Sequence, residues 1–235
     1  MIFSFDVDGT LTPSRQQMDK QFHDWFWNFC DENDVCLVSG SNHEKTIEQV
    51  GADIFNKCVV YACSGNHIFR YGKEYFYRQW TCPEDARTFL NIQLNMSQFH
   101  LRTGNHFEER HGMINFSIVG RNASKEEREA YVTYDKLTKE RHFIAKKFNE
   151  MFPNLEAKIG GETGLDISVR GWDKSQIMQY FSEDEHIVFF GDAMDPTGND
   201  FPLADAITKR GDGTIFPVTG WEQTFQILSS MYNNP

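Results

Sequence analysis

Asp6 and Asp8 stand two residues apart at the end of an apolar run and are followed at once by Gly9. A carboxylate that leaves water without a partner costs free energy, so two of them at the mouth of a buried strand call for an explanation. Other apolar runs end in polar groups too: Ser39-Gly40-Ser41 follows residues 35–38, and Gly191-Asp192 follows residues 187–190, with Asn199 and Asp200 close behind. In parallel α/β sheets ligands bind beyond the carboxyl ends of the strands. Carboxylates converging there would repel one another unless a cation sat among them. Mg²⁺ suits such a place, because it takes a few carboxylate oxygens and leaves its other positions to water and phosphate. Taken alone, Asp6 and Asp8 read equally well as turn residues, as Asp before Gly often is.

Four short apolar runs, residues 2–5, 35–38, 59–62 and 187–190, must position these groups. Burial on both faces makes a parallel strand continuously apolar, and the runs have that character. Between them Phe22, Trp25, Phe26 and Phe29 follow i, i+3, i+4, i+7, the stripe of a helix packed on a sheet. Ser41 or Asn42 caps a further helix through Gln49, ahead of Gly51. The alternation predicts an α/β fold with a doubly wound parallel-sheet core. After Ser64 the texture changes. HIFRYGKEYFYRQW reads as a hairpin turning at Gly72-Lys73, and CPEDARTFLNIQLNM as a helix with Pro83 in its first turn. FEERHGMINFSIVG reads as strand, residues 124–151 as one long charged helix, and EAKIGGETGLDISVR as further strand. This mixture predicts an inserted α+β cap domain, 81–170, between core segments 1–80 and 171–235. From Trp172 a helix, the strand HIVFFGD, a short helix near Asp200, a strand near Ile215 and a closing helix over 221–231 complete the core.

The 235 residues carry a net charge of −11, which argues against nucleic acid or an anionic membrane as the main partner. An anionic substrate would need a local basic cluster. Cys30, Cys36, Cys58, Cys63 and Cys82 show neither C-x-x-C nor metal-site spacing and read as reduced, mostly buried thiols of a cytosol-like compartment. MIFSF lacks the basic start and long apolar core of a signal peptide, and no stretch approaches the roughly 18 apolar residues of a membrane span, so a soluble cytoplasmic protein is expected.

FDVDGTLT, a serine after the second strand, Lys174 in GWDK, and FFGD followed by GND occur in this order over almost the whole chain. Together they resemble the four motifs of the haloacid dehalogenase superfamily of phosphoryl-transfer enzymes. The resemblance implies that Asp6 is a nucleophile forming an aspartyl-phosphate and that Asp8 serves as acid and then base. Past a strand's end the chain can turn so that residues i and i+2 face one phosphate. Ser39 would donate to a phosphate oxygen, and Lys174 would neutralise charge on the phosphoryl group and on Asp6. Most lysines are solvated surface residues, and it is the GWDK context that singles out Lys174. Mg²⁺ would be held by Asp6, Asp192 and the backbone carbonyl of Asp8, with Asn199 and Asp200 tying down the loop around it.

Within that superfamily, FDVDGTLTPSRQ, SGSNHEKTIEQVG, FEERHGMINFSIVGRNASKEER, DISVRGWDK and FFGDAMDPTGNDF resemble the eukaryotic-type phosphomannomutases from end to end. This implies exchange of mannose 1-phosphate and mannose 6-phosphate through a hexose bisphosphate, with Mg²⁺, in a homodimer joined through a cap that closes over the substrate. A hexose 1,6-bisphosphate would serve as activator. A mutase must hold a second phosphate while the first reacts, and planar guanidinium groups bind phosphate in bidentate fashion. The positions matching the family's phosphate-binding arginines are Arg110, Arg121 and Arg128 in the cap and Arg15 in the core. Asp166 matches a residue that binds sugar hydroxyls, and Asn115 and Met113 lie in the matching substrate strand. Arg128, in EEREA, also reads as simple surface pairing on a helix.

Some positions depart from the family. Gly164 replaces a serine two residues before Asp166, Ile118 or Val119 replaces a proline, the basic stretch before the cap strand is reduced to LRTGNH, and Asp195 is added between Asp192 and Asn199. These changes bear on sugar choice and on the balance between mutase and phosphatase, and a Mg²⁺-dependent sugar-phosphate phosphatase is the alternative reading. A catalytically silent sugar-phosphate binder is disfavoured because no catalytic position is replaced. His106 and His111 are placed for opposite faces of a strand, which argues against a metal pair. Gly160-Gly161 reads as a turn or hinge, the WFW run at 25–27 as core, and no serine lies in a G-x-S-x-G context.

Overall fold

A computed structural model describes residues 1–196 and 198–232; Thr197 of the AMDPTG loop and the last three residues lie outside the described residues. The chain divides into two units, Met1–Arg78 with Trp172–Pro235, and Gln79–Gly171. The first unit begins with β1 (Ile2–Phe5), α1 (Lys20–Glu32), β2 (Asp34–Val38), α2 (His43–Val50), α3 (Ala52–Lys57), β3 (Val59–Ala62), β4 (His67–Arg70) and β5 (Lys73–Tyr77). The second unit contains α4 (Glu84–Met96), β6 (Phe107–Arg110), β7 (Met113–Ser117), α5 (Lys125–Thr138), α6 (Glu140–Met151), β8 (Leu155–Gly160) and β9 (Gly164–Val169). The chain then returns to the first unit with a 3-10 helix (Lys174–Tyr180), β10 (Ile187–Gly191), α7 (Phe201–Arg210), β11 (Gly213–Pro217) and α8 (Trp221–Tyr232).

In the first unit the strand order is β11-β10-β1-β2-β3-β4-β5. The pairs from β11 to β3 are parallel, and β4 and β5 extend that sheet antiparallel, so the sheet is mixed at one edge. Successive side chains on a strand face opposite ways. Phe3, Phe5, Val35, Leu37, Val188 and Phe190 therefore meet one set of helices, through Phe22, Phe26 and Phe29 of α1, Ile54 and Phe55 of α3, and Leu228 of α8. Cys36, Val38, Ile187 and Phe189 meet the other side, with Ile177 of the 3-10 helix and Leu203 and Ile207 of α7. Burial on both faces is why these runs carry no polar alternation, and the arrangement is a doubly wound α/β sheet.

The second unit is an antiparallel sheet in the order β6-β7-β9-β8. Its apolar face, with Ile114, Phe116, Leu165 and Ile167, packs against Phe89 and Leu90 of α4, Tyr131 of α5, and Ile144 and Phe148 of α6.

Several elements differ from the sequence reading. Residues 124–151 form two helices rather than one, broken at Lys139, which takes a left-handed conformation with φ of +57°. The buried Asp135 carboxylate causes the break to hold: it accepts from the Arg141 backbone N–H and from Arg141 Nε, each at 2.8 Å, and so caps α6 from the end of α5. Lys139→Gly is expected to stabilise the fold by up to about 1 kcal/mol, since a β-carbon in the left-handed region costs roughly that much; the midpoint of urea denaturation measures it. Pro83 is the residue before α4, not within its first turn. The hairpin turns at Tyr71-Gly72, and the segment after Trp172 winds as a 3-10 rather than an α-helix. A separate short helix, α3, follows Gly51. His111 lies in the turn between β6 and β7 and His106 precedes β6, so neither is a strand residue. Trp27 is exposed, with Lys57 Nζ 3.0 Å from its ring centroid, while Phe26 is core. None of the five cysteines is in a disulfide. Among the described residues no helix is long and apolar enough to cross a membrane.

Candidate active site

The parallel strands of the first unit end at one edge, and the polar residues that follow them collect there. Phe5 pairs with Leu37 and with Phe190, so Asp6, the Ser39 turn and Asp192 follow neighbouring rungs. Gly9 lets the chain turn tightly, with φ of +80°, and a β-carbon there would overlap the Asp192 carboxylate. Only glycine meets both requirements.

Carboxylate oxygens of Asp6, Asp192 and Asp200 lie within 4.8 Å of one another. Between two of them sits the ammonium of Lys174, a fully buried side chain that donates to Asp6 Oδ1 and, at 2.6 Å, to Asp200 Oδ1. Burial alone would lower the Lys174 pKa, but Asp200 and Asp6 prevail and raise it, so the group is a cation. The lysine is delivered by the 3-10 helix, whose first turn Asp173 caps by accepting from the Ser175 N–H. Gln176, two residues on, anchors that helix by donating to the Ser64 carbonyl at 2.7 Å and accepting from Arg78.

One ammonium does not balance three carboxylates. The Asp6 carboxyl, 3% exposed, is pushed well above its usual range by burial and by Asp200 and Asp192, against the pull of Lys174. The Asp192 carboxyl is pushed up to about 6, first by loss of water around it and then by Asp200. Two uncompensated negative charges on oxygen ligands match a hard divalent cation, so the donor set fits Mg²⁺. Asp200 uses both oxygens elsewhere: Oδ1 on Lys174 and Oδ2 on the Ala193 backbone N–H at 3.1 Å, which ties the loop to the sheet. Asn199 is exposed, with its amide nitrogen 3.8 Å from where a β-carbon of Gly40 would stand.

The Asp8 carboxylate has partners of its own. Its Oδ1 accepts from the Arg15 backbone N–H at 2.7 Å and from Gln49 Nε2 at 2.9 Å. The Arg15 backbone reaches it by adopting a φ of +60°. Ser39, 1% exposed, accepts at Oγ from the Ser41 N–H at 3.0 Å, which leaves its own proton to donate.

In the second unit the sheet face away from the helices carries a row of polar side chains. Glu108, Asn115, Asp166 and Lys158 are directly opposite one another across all four strands. Asn115 Nδ2 donates to Asp166 Oδ1 at 2.6 Å. Glu108 joins two arginines, accepting from Arg110 Nε at 2.7 Å and from Arg121 Nε at 2.5 Å. Arg110 Nη1 also lies 3.9 Å from Asp166 Oδ1. Met113 is buried on the same face, two residues before Asn115. Arg128, in the first turn of α5, pairs instead with Glu162 at 2.8 Å. Gly160 ends a strand, and a β-carbon on it would overlap the Asp166 carboxylate.

Burial would raise the Glu108 pKa, yet Arg110 and Arg121 hold it below the usual 4.5. A depressed carboxyl pKa stabilises the fold above the unfolded value and loses that contribution as pH falls through the folded one. The melting-temperature advantage of the wild type over Glu108→Gln is therefore expected to shrink between about pH 5 and pH 3.

The eukaryotic phosphomannomutase family matches over residues 22–234. A phosphomannomutase of Spinacia oleracea is 33% identical over 97% of this chain and 96% of its own length. The chain belongs to the eukaryotic phosphomannomutase family. A phosphomannomutase of Saccharomyces cerevisiae is 32% identical over 97% of this chain and 93% of its own. A haloacid dehalogenase-like hydrolase from Bacteroides thetaiotaomicron shares the fold, with a TM-score of 0.60 at 11% identity over 97% of this chain and 98% of that one.

Against the phosphomannomutase pattern, Gly164 has a local explanation: a β-carbon there would lie 2.6 Å from Asn115 Nδ2, so the glycine gives that amide room beside Asp166. Sequence reasoning passed over Gln49, Glu108 and Gln176. Gln49 was visible only as the end of a helix, and Glu108 only as one of two adjacent glutamates in FEER. Strand alternation could have separated Glu108 from Glu109 once the register with Asn115 was known.

Proposed function

We propose that this member of the phosphomannomutase family interconverts mannose 1-phosphate and mannose 6-phosphate through an aspartyl-phosphate and a hexose bisphosphate. The observation that carries the reading is the buried Asp6 carboxylate held against Lys174 beside Asp192 and Asp200. An Asp6 oxygen attacks phosphorus, the bond from phosphorus to the sugar oxygen breaks, and Asp8 supplies the proton that the leaving oxygen needs. In the return step a hydroxyl of the bisphosphate's precursor attacks the aspartyl-phosphate, its proton passes to Asp8, and Asp6 is released. Lys174 and the Ser39 hydroxyl would stabilise charge on the transferring group. Mg²⁺, held by Asp6, Asp192 and the Asp8 backbone carbonyl, would supply charge neutralisation at phosphate.

A non-reacting phosphate would be held by arginines of the second unit. Arg110 and Arg121 are held by their Nε atoms on Glu108, and Asn115 and Asp166 lie on the same face for sugar hydroxyls. Arg128 and Arg15 complete the proposed set of phosphate ligands. We further propose a cytoplasmic homodimer joined through the second unit, with a hexose 1,6-bisphosphate as activator.

The test is to incubate the protein with Mg²⁺, mannose 1-phosphate and catalytic hexose bisphosphate and to follow both mannose 6-phosphate and free phosphate. Isomer without phosphate supports the mutase. Phosphate alone would replace it with a sugar-phosphate phosphatase, and neither product would sink both.

A further inference from the structure

We propose that Gln49 is a positioning residue for Asp8: it pins one carboxylate oxygen so that the other, Oδ2, carries the proton of phosphoryl transfer. This rests on the reading of Asp8 as acid and base given above.

Gln49 lies in the last turn of α2, the helix that Asn42 caps directly after the Ser39-Gly40-Ser41 turn. It is 2% exposed, on the face that also buries Thr46 and Val50. Its backbone is fixed, the carbonyl accepting from the Met18 N–H at 2.8 Å. The side chain spans 41 residues of sequence to reach Asp8 Oδ1 at 2.9 Å, and the same nitrogen donates to Thr12 Oγ1 at 3.0 Å. With the Arg15 N–H, Oδ1 then accepts from two N–H donors. Oδ2 accepts from the Ser41 hydroxyl at the outer limit of 3.5 Å, a weaker hold than the two on Oδ1.

This inequality decides which oxygen works. A proton on Oδ1 would have to displace two donors already aimed at it, whereas one on Oδ2 leaves both in place. The orientation of the amide is forced as well, because a carbonyl oxygen facing Oδ1 would set acceptor against acceptor. Forcing it has a consequence: Gln49 Oε1 is buried without a hydrogen-bond partner among the described residues. A glutamine kept for packing alone would be expected to satisfy both ends of its amide, since an unpaired buried acceptor is destabilising. Here one end is left unsatisfied while the other holds the carboxylate.

The experiment compares two phosphoryl donors on the Mg²⁺-loaded full chain. The alkoxide of mannose 6-phosphate leaves only with a proton, whereas the phenolate of p-nitrophenyl phosphate leaves without one. Gln49→Met is expected to lower kcat for mannose 6-phosphate, scored as mannose 1-phosphate plus free phosphate, by roughly 30- to 100-fold, up to the lower end of what general acid catalysis contributes and to the cost of misplacing a group by about 1 Å. KM should stay within about twofold, and the burst rate of p-nitrophenolate release within about threefold, because positioning of Asp8 affects neither binding nor proton-free departure. Equal losses on both donors, or a loss confined to KM, would overturn the proposal. Gln49→Glu keeps the shape but replaces the donor with an acceptor, so it covers the case in which methionine is not accommodated. It must show the same selective loss, and a wild-type ratio of the two rates would also overturn the proposal. A wild-type protein inactive on both donors removes the reading of Asp8 itself, and the inference with it.

Discussion

Asp6→Asn is expected to abolish isomerisation and phosphate release together, by roughly 10⁴- to 10⁶-fold, the scale on which loss of a nucleophile is felt. The fold should survive the change. The Asp6 carboxyl is buried beside Asp200 and Asp192, and its pKa is raised despite Lys174. For a carboxyl with a raised folded pKa, the favourable contribution is full below the usual 3.8 and is lost as pH rises through the folded value. Ionisation of Asp6 therefore works against the metal-free fold, and a neutral amide relieves it. The melting temperature in chelator should be unchanged or higher in Asp6→Asn, while the increase produced by Mg²⁺ should be smaller. Retained turnover would mean that another group is the nucleophile. A collapsed melting temperature in chelator would mean that Asp6 serves the fold as much as the reaction.

Lys174→Met acts in the opposite direction on stability. The ammonium is fully buried between Asp6 and Asp200, so its removal leaves buried carboxylates without their counter-charge. Breaking a buried pair in this way costs about 3–5 kcal/mol. For a chain of this size that is a fall of roughly 6–20 °C in melting temperature, read in chelator. Turnover should fall as well, because Lys174 also faces the transferring group in the proposed reaction. The double variant Lys174→Met, Asp200→Asn should recover part of the lost stability, since it removes one of the carboxylates stranded by the first change. Added Mg²⁺ should raise the melting temperature of Lys174→Met more than that of the wild type. Strictly additive losses in the double variant would contradict a shared ion-pair network.

The two variants thus separate chemistry from folding at one cluster. A neutral residue in place of Asp6 should cost activity alone, and one in place of Lys174 should cost both, because a cation among three carboxylates is indispensable unless a metal replaces it.

Much of the core could be read from the chain. Residues 2–5 and 59–62 appear as strands with those limits, because two-sided burial writes an unbroken apolar run. The stripe at Phe22, Phe26 and Phe29 names the buried face of α1 directly. The break at Lys139 could not be read, because α5 and α6 each have helical composition and the interruption is held by Asp135 reaching Arg141 across it. Glu108 and Glu109 are indistinguishable by composition. Only the pairing of Glu108 with Asn115 puts one of them between Arg110 and Arg121.

By itself the sequence determined the apolar runs of the parallel strands, the family and the residue types gathered at one sheet edge. Those properties are local: hydrophobic periodicity and short motifs record them within a few residues. The partners of each charge were decided only by tertiary structure. Lys174 is 168 residues from Asp6 and 26 from Asp200, and its buried ammonium is shared between them only because the 3-10 helix and the loop after β10 converge on the end of β1. Gln49 likewise meets Asp8 only because α2 packs its last turn beside the loop that follows β1. Burial makes such pairings strong and leaves no trace of them in local composition, which is why they became legible only in three dimensions.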